Sequence, residues 1–371
     1  MGIKKMYMRK YFVIMFFALA CGLSACSNND VAVNDNGFDR GTLLVNVADN
    51  LIIPSFQDLK AKVAALETTS NTFIATSDAT NLDALQSAWE AAMTSFVKCS
   101  PFAFGPADLP LGTFVEVLGT FPISTTKIET NINNTGFNLS ASFDRDVRGM
   151  MTVEYLIYSL NGDAAVLTNY GTGSDNRKNY LKTVITEIKT NIDNITTAWE
   201  GAYRTTFTSN TETSAGSPIS LLYNSFVKDY ENIKNFKLEL PAGLQAGQTS
   251  AEPTKVEAYY SGISLTLIKE HFATTEKIWL GTGLNGTDGI GFEEYLNAVE
   301  GGAALVTQTK AKVAEINSAI AAIPAGRLSD NIGSTQVSAA HTLMQDNTAN
   351  FKSSMSSLLG ISITFSDNDG D

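Results

Sequence analysis

The chain has 371 residues, 38 acidic against 26 basic, and a formal net charge of −12. A field of that sign repels phosphate, which excludes nucleic acid as a partner and disfavours binding to anionic membrane surfaces. Three cysteines against 44% hydrophobic residues mean that stability rests on a packed core rather than on disulfides.

Lys4, Lys5, Arg9 and Lys10 lead into the apolar run Tyr11 to Ala20, which Leu23-Ser24-Ala25-Cys26 follows. A basic start, a short apolar segment and small residues before a cut site describe a secretory signal. The run is shorter than the ~20 residues a spanning helix needs. With a cysteine at the first mature position, the segment resembles a bacterial lipoprotein signal. That resemblance implies cleavage before Cys26 and lipidation of Cys26. The expected layout is a signal peptide over 1–25 and a lipidated, flexible tether over 26–40, polar and Asn/Asp-rich from Ser27 to Asn36. Loss of residues 1–25 removes four basic and no acidic residues, which moves the charge from −12 to −16. The expected location is the cell envelope, held by lipid. Ser27 after the cysteine points to the outer membrane, facing the periplasm or the cell surface, by analogy with lipoprotein sorting.

The roughly 330 residues beyond the tether exceed the usual single-core size. Apolar residues recur every three or four positions at Ile53, Phe56, Leu59, Val63 and Leu66, and again from Leu82 through Trp89 to Val97. Both runs read as one-faced helices. Pro54 marks a break or kink before the first, and Asn81 and Asp83 are candidate caps for the second. From Ser100 to Phe143, Pro and Gly interrupt the pattern, which predicts a long loop or short helices. Helical pattern returns at 145–160, 177–207, 219–236, 255–280, 303–322 and 336–359. Ile361 to Phe365 alternates and is β-branched, which predicts a short strand. The fold class is all-α: two antiparallel helical bundles, 41–210 and 211–371. Ala88-Trp89-Glu90 echoes Ala198-Trp199-Glu200, and Gly149 to Leu156 echoes Gly289 to Leu296 in the same order. The echo reads as an internal duplication, with chance as the alternative for so short a match.

Chemistry-bearing patterns are few. His271 and His341 are the only histidines, with no His-Glu-x-x-His pair, no paired-cysteine metal pattern and no Gly-x-Ser-x-Gly elbow. Cys99 lies in an apolar helical run and reads as a buried small hydrophobe. Asn285 to Gly289 and Asp367 to Asp371 look like calcium loops but lack the full ligand pattern. Glu154 stands among Met150, Met151, Val153 and Leu156, and a carboxylate there needs a partner. Arg145 and Arg148 are the nearby candidates. A structural ion pair and a cation site both fit Glu154, and Glu293-Glu294 raises the same choice. Glu257, Ser261 and Ser264 read as one face of a helix whose small residues permit either close packing or a ligand.

These residues, taken together, resemble the imelysin-like family of bacterial envelope proteins. The resemblance rests on Asn46 to Pro54, the Trp89 helix leading to Phe104-Gly105-Pro106, and Gly149 to Tyr155. It continues through Glu257 to Ser264, Trp279-Leu280-Gly281, Gly291 to Leu296 and Leu359 to Phe365. It implies two related helical bundles with a site between them. The family motif is Gly-x-His-x-x-Glu. Gly149 and Glu154 match it, and Met151 takes the histidine position. The family was described as metallopeptidases and is linked with iron uptake. A thioether is a soft ligand, suited to copper(I) or haem iron rather than zinc, so peptidase activity is not expected. The resemblance thus implies a lipid-anchored binding protein for iron or haem acquisition, with an uptake receptor as partner. Its ligand site would be Gly149, Met151, Glu154, Glu257, Ser261, Ser264 and Glu294, with Glu154 as metal ligand. A metallopeptidase and a non-catalytic adaptor for an envelope receptor or transporter are the alternatives.

Overall fold

A computed structural model describes residues 37–134, 136–139 and 144–365. The signal peptide, Cys26, the spacer to Asn36 and the acidic tail Asp367 to Asp371 lie outside the described residues. Phe38, inside the stretch assigned to the tether, stacks on Tyr295 with ring centroids 4.7 Å apart. Asp39 caps the first helix by accepting from the Thr42 N–H.

The described residues are mostly helical, with almost no strand. The long elements are α1 (Arg40–Val47), α2 (Ile53–Ala75), α3 (Ala79–Cys99), α4 (Gly149–Ile157), α5 (Asp175–Glu200), α6 (Pro218–Asn232), α7 (Ser264–Leu280), α8 (Phe292–Asn297), α9 (Gly302–Ala322) and α10 (Thr335–Ala349). The predicted apolar faces are the buried ones: Phe56, Leu59, Val63 and Leu66 on α2, and Leu82, Leu85, Trp89 and Met93 on α3, are sealed from solvent. α2 packs on α3 and α5, and α4 packs on α3 and α5. Among the later helices, α9 packs on α10, and α7 packs on α6 and α8. The early and late helices meet where α3 runs against α7. The buried side chains form one continuous core.

Local chemistry sets several boundaries differently from the expectation. Asp78, not Asn81 or Asp83, caps α3; its carboxylate accepts from the Asn81 N–H at 2.8 Å. Just before Pro54 the α-helical pattern is interrupted, while the chain stays helical. A π-helical turn, Ala48–Ile52, carries the backbone from α1 into α2, and Pro54 sits at the second position of α2, where a missing N–H costs little. The irregular stretch after Ser100 contains short helices, among them Phe114–Leu118 and Thr125–Asn133. It also holds a small hairpin pairing Asp108–Leu109 with Gly112–Thr113. Ile361 to Phe365 is not a strand. The Asn224 amide takes the place of a strand partner: it accepts from the Thr364 N–H at 2.7 Å and donates to the Ser362 carbonyl at 3.0 Å. Residues 256–263 are not helical either. Ala258 has φ +52 and Gly262 φ +82, so the segment is a tight turn before α7.

Candidate functional site

α4 carries the Gly149 motif, and its first residue is there for space. Gly149 has φ +78, and a Cβ at that position would lie 2.2 Å from the Leu118 carbonyl oxygen. Only glycine lets the chain turn into α4 directly beneath that peptide. The Trp89 indole N–H donates to the Met150 carbonyl at 2.9 Å and fixes the first turn against α3.

The next turn buries Met151 and Glu154. Glu154 Oε1 accepts from both the backbone N–H and the hydroxyl of Ser261, each at 2.7 Å. Met151 Sδ accepts from the Ala258 N–H at 3.4 Å. The 256–263 turn thus closes over α4 and covers both side chains. Arg145 and Arg148, the partners expected for Glu154, are engaged elsewhere. Arg145 donates to the Leu111 carbonyl, and Arg148 donates to the Leu139 carbonyl and faces Glu187. Burial without a cation pushes Glu154 up to about 7, against the pull of the Ser261 and Tyr260 donors, and the nearby Glu257 adds to the rise. The turn is held from behind by Arg327, which donates to the carbonyls of Tyr259 and Tyr260. Tyr260 also meets Tyr155 edge to face, at 5.3 Å between centroids.

Glu257 and Ser264 lie in the same turn with different duties. The Ser264 hydroxyl donates to the Glu257 carbonyl. The Glu257 carboxylate is buried and pairs with Lys237 Nζ at 2.8 Å. Lys237 belongs to a second π-helical segment, Ile233–Glu239, which continues α6. On α6, Asp229 Oδ2 lies 2.6 Å from His271 Nε2. Burial lowers the His271 pKa, while Asp229 raises it. Lys237, Asp229 and Arg327 were not singled out from sequence. Lys237 stands in the alternating stretch Phe236-Lys237-Leu238-Glu239-Leu240, which gives no signal that its charge is buried. Asp229 is separated from His271 by 42 residues, and no spacing rule joins them.

Glu294 sits apart in function. Its carboxylate accepts from the Gly291 N–H at 2.8 Å and caps α8. No hydrogen bond or ion pair among the described residues joins it to Glu154. The sequence echo therefore places unlike groups: Glu154 lies within α4, and Glu294 lies in the first turn of α8. The remaining reactive candidate, Cys99, is buried, and burial pushes its thiol pKa well up.

Metal-ligand chemistry needs several convergent donors. Among the described residues, no group of three or more His, Cys, Asp or Glu side chains converges on one point. Glu154 is bound to Ser261, Glu257 to Lys237 and His271 to Asp229. These residues do not fit a resident zinc-type ion. The arrangement instead forms a buried junction in which the Glu154 carboxylate and the Met151 thioether hold one turn of backbone.

The imelysin family model matches residues 52–355. One similar solved structure is a protein from Parabacteroides distasonis that carries the name iron-regulated protein A precursor. It has a TM-score of 0.72 and 16% identity, over 86% of this chain and 95% of that one. Another is an imelysin-like protein from Psychrobacter arcticum, with a TM-score of 0.67 and 17% identity, over 88% of this chain and 97% of that one. Identities this low establish a shared fold. No curated protein matches the chain in sequence.

Proposed function

The chain belongs to the imelysin family, and on that premise we propose that it is a non-catalytic, lipid-anchored binding protein of the cell envelope serving iron or haem acquisition. The observation that carries this reading is the closure of the motif. Met151 replaces the histidine and takes a backbone N–H, and Glu154 accepts twice from Ser261. Hydrolysis at a metal centre needs an open coordination position, and nothing in this donor set supports one. The iron connection is supported by the Parabacteroides protein, whose name refers to iron regulation. Iron or haem is cargo in this reading, and it reaches α4 only when the 256–263 turn that covers Met151 and Glu154 gives way. Met151, Glu154 and Ser261 are the contact residues, with Gly149, Glu257 and Ser264 shaping the turn.

The same reading takes the protein as two bundles, 41–210 and 211–371, related by duplication, with the junction between them. Support comes from the Trp89 and Trp199 echo and from the packing of α2 on α3 and α5 and of α9 on α10, while α6 and α7 also pack on the early half. The anchor rests on the 1–26 signal, and the outer-membrane address on Ser27 after the cysteine. Among the described residues, no helix is long and apolar enough to cross a membrane.

A peptide-cleavage assay with added zinc tests the non-catalytic reading. No cleavage is expected. Cleavage abolished by Glu154→Ala, and left intact by a surface substitution, would restore the metallopeptidase. A second reading, an adaptor for an envelope receptor or transporter, is favoured by the sealed state of Glu154. Its mark would be a receptor that co-purifies with the protein in the absence of iron and haem.

A further inference from the structure

The 256–263 turn has two sets of fastenings. α4 supplies the first: Glu154 takes the Ser261 N–H and hydroxyl, and Met151 Sδ takes the Ala258 N–H. Arg327 supplies the second. Its Nη1 donates to the Tyr260 carbonyl and its Nη2 to the Tyr259 carbonyl. Arg145, Arg148, Arg177 and Arg204 each face a carboxylate. Arg327 is committed to backbone instead, and its charge strengthens both bonds. Its guanidinium carbon lies 5.9 Å from the centroid of the Tyr259 ring. Its stem occupies the space beside Gly262, where a Cβ would lie 2.9 Å from Arg327 Cγ.

The ends of the turn are fixed. Lys237 pairs with the buried Glu257 at one end, and α7 begins at Ser264 at the other. Between them, Ala258 has φ +52 and is the one residue other than glycine with positive φ among the described residues. Such a conformation persists only where its surroundings impose it. Residues 259–263 are half-buried and form an outer wall over Met151 and Glu154, which are sealed. The thioether is a weak acceptor, so α4 alone holds the Ala258 end loosely. Arg327 itself stands on a firm base, because Ile323, Leu328 and Ile332 around it in the chain are buried.

We propose that Arg327 is the catch of this turn, a positioning residue that holds 258–263 down over Met151 and Glu154 and whose release uncovers them. The proposal rests on the reading that cargo reaches α4 beneath this turn.

Oxidation of the purified protein by dilute hydrogen peroxide tests it, with sulfoxide at each methionine followed by mass spectrometry. The peroxide oxygen passes to the thioether and water leaves, so the rate reports how often a sulfur is uncovered. Met150, next on α4 and equally sealed, is the internal control. Loss of two charge-assisted hydrogen bonds in Arg327→Ala should speed Met151 oxidation by at least about tenfold. Met150 should be unchanged. Arg327→Lys keeps the charge but not the fork that spans two carbonyls, so Met151 should speed up by less, again without Met150. An equal rise at Met150 and Met151 in both variants would mean general loosening and would overturn the proposal, as would no rise at Met151 in either. The assay contains no iron or haem. A selective rise at Met151 therefore establishes the catch even where titration with haem and Fe(III) shows no cargo.

Discussion

Glu154 and Ser261, 107 residues apart in the chain, are joined by two hydrogen bonds of 2.7 Å to a single carboxylate oxygen. One comes from the backbone and one from the side chain, so the serine is held at two points. A buried carboxylate with no cation beside it survives because these donors converge on it. Ser261→Ala removes the hydroxyl and keeps the backbone bond. It should destabilise the protein by about 1–2 kcal/mol, read as a shift in the urea midpoint without a change in slope. No shift at all would mean that the hydroxyl contributes nothing at the junction.

The buried carboxylates also set a pH dependence. Glu154 and Glu187 are both pushed up to about 7 from 4.5, chiefly by burial. Between those values the folded state binds more protons than the unfolded one. The contribution of these groups is therefore full below about 4.5 and is lost as pH rises through about 7. Urea unfolding across that window should show stability falling with rising pH. The Glu154→Gln, Glu187→Gln double variant should flatten the slope, and an unchanged slope would refute the assignment.

Lys237 and Glu257 form a buried ion pair at 2.8 Å. Removing one partner strands the other charge, while removing both leaves an apolar contact. Lys237→Met should cost about 3–5 kcal/mol. Lys237→Met combined with Glu257→Leu should recover most of that loss. Equal instability of the single and double variants in thermal melts would argue against a charge-pair origin.

Gly149 is constrained by both conformation and space. With φ +78 and Leu118 O only 2.2 Å from any added Cβ, Gly149→Ala must move the start of α4. Gly360 is left-handed, with φ 65 and ψ 31, and has nothing within 4 Å of an added Cβ. Gly360→Ala should therefore cost only about 1 kcal/mol, and Gly149→Ala clearly more. Comparable melting points for the two variants would show that the close contact is relieved without penalty.

The sequence carried the helices far better than it carried the junction. Apolar periodicity located α2, α3, α5 and α9, because each buries one face and the spacing records that face directly. It misplaced 256–263, whose Tyr-rich apolar content reads as helix. There the backbone instead turns through positive φ at Ala258 and Gly262 to reach Glu154. It also misread Ile361 to Phe365, because a side-chain amide replaced the neighbouring strand. Glu154 was legible as a carboxylate on an apolar helix, and Met151 stood out only through the family motif. Their partners were not, since Ser261 and Ala258 reach them only through tertiary contact. Lys237 and Asp229 escaped for the same reason. Glu294 was grouped with Glu154 on the strength of an echo that equates a mid-helix residue with a helix cap.

The most direct measurement is thermal unfolding of the purified protein titrated with haem, Fe(III) and Zn(II). A ligand at about a hundred times its dissociation constant adds ~2.7 kcal/mol to stability. The account predicts a saturable upward shift with haem or Fe(III), reduced in Glu154→Gln, and none with Zn(II). A shift with Zn(II) alone, or no shift with any of the three, would contradict it.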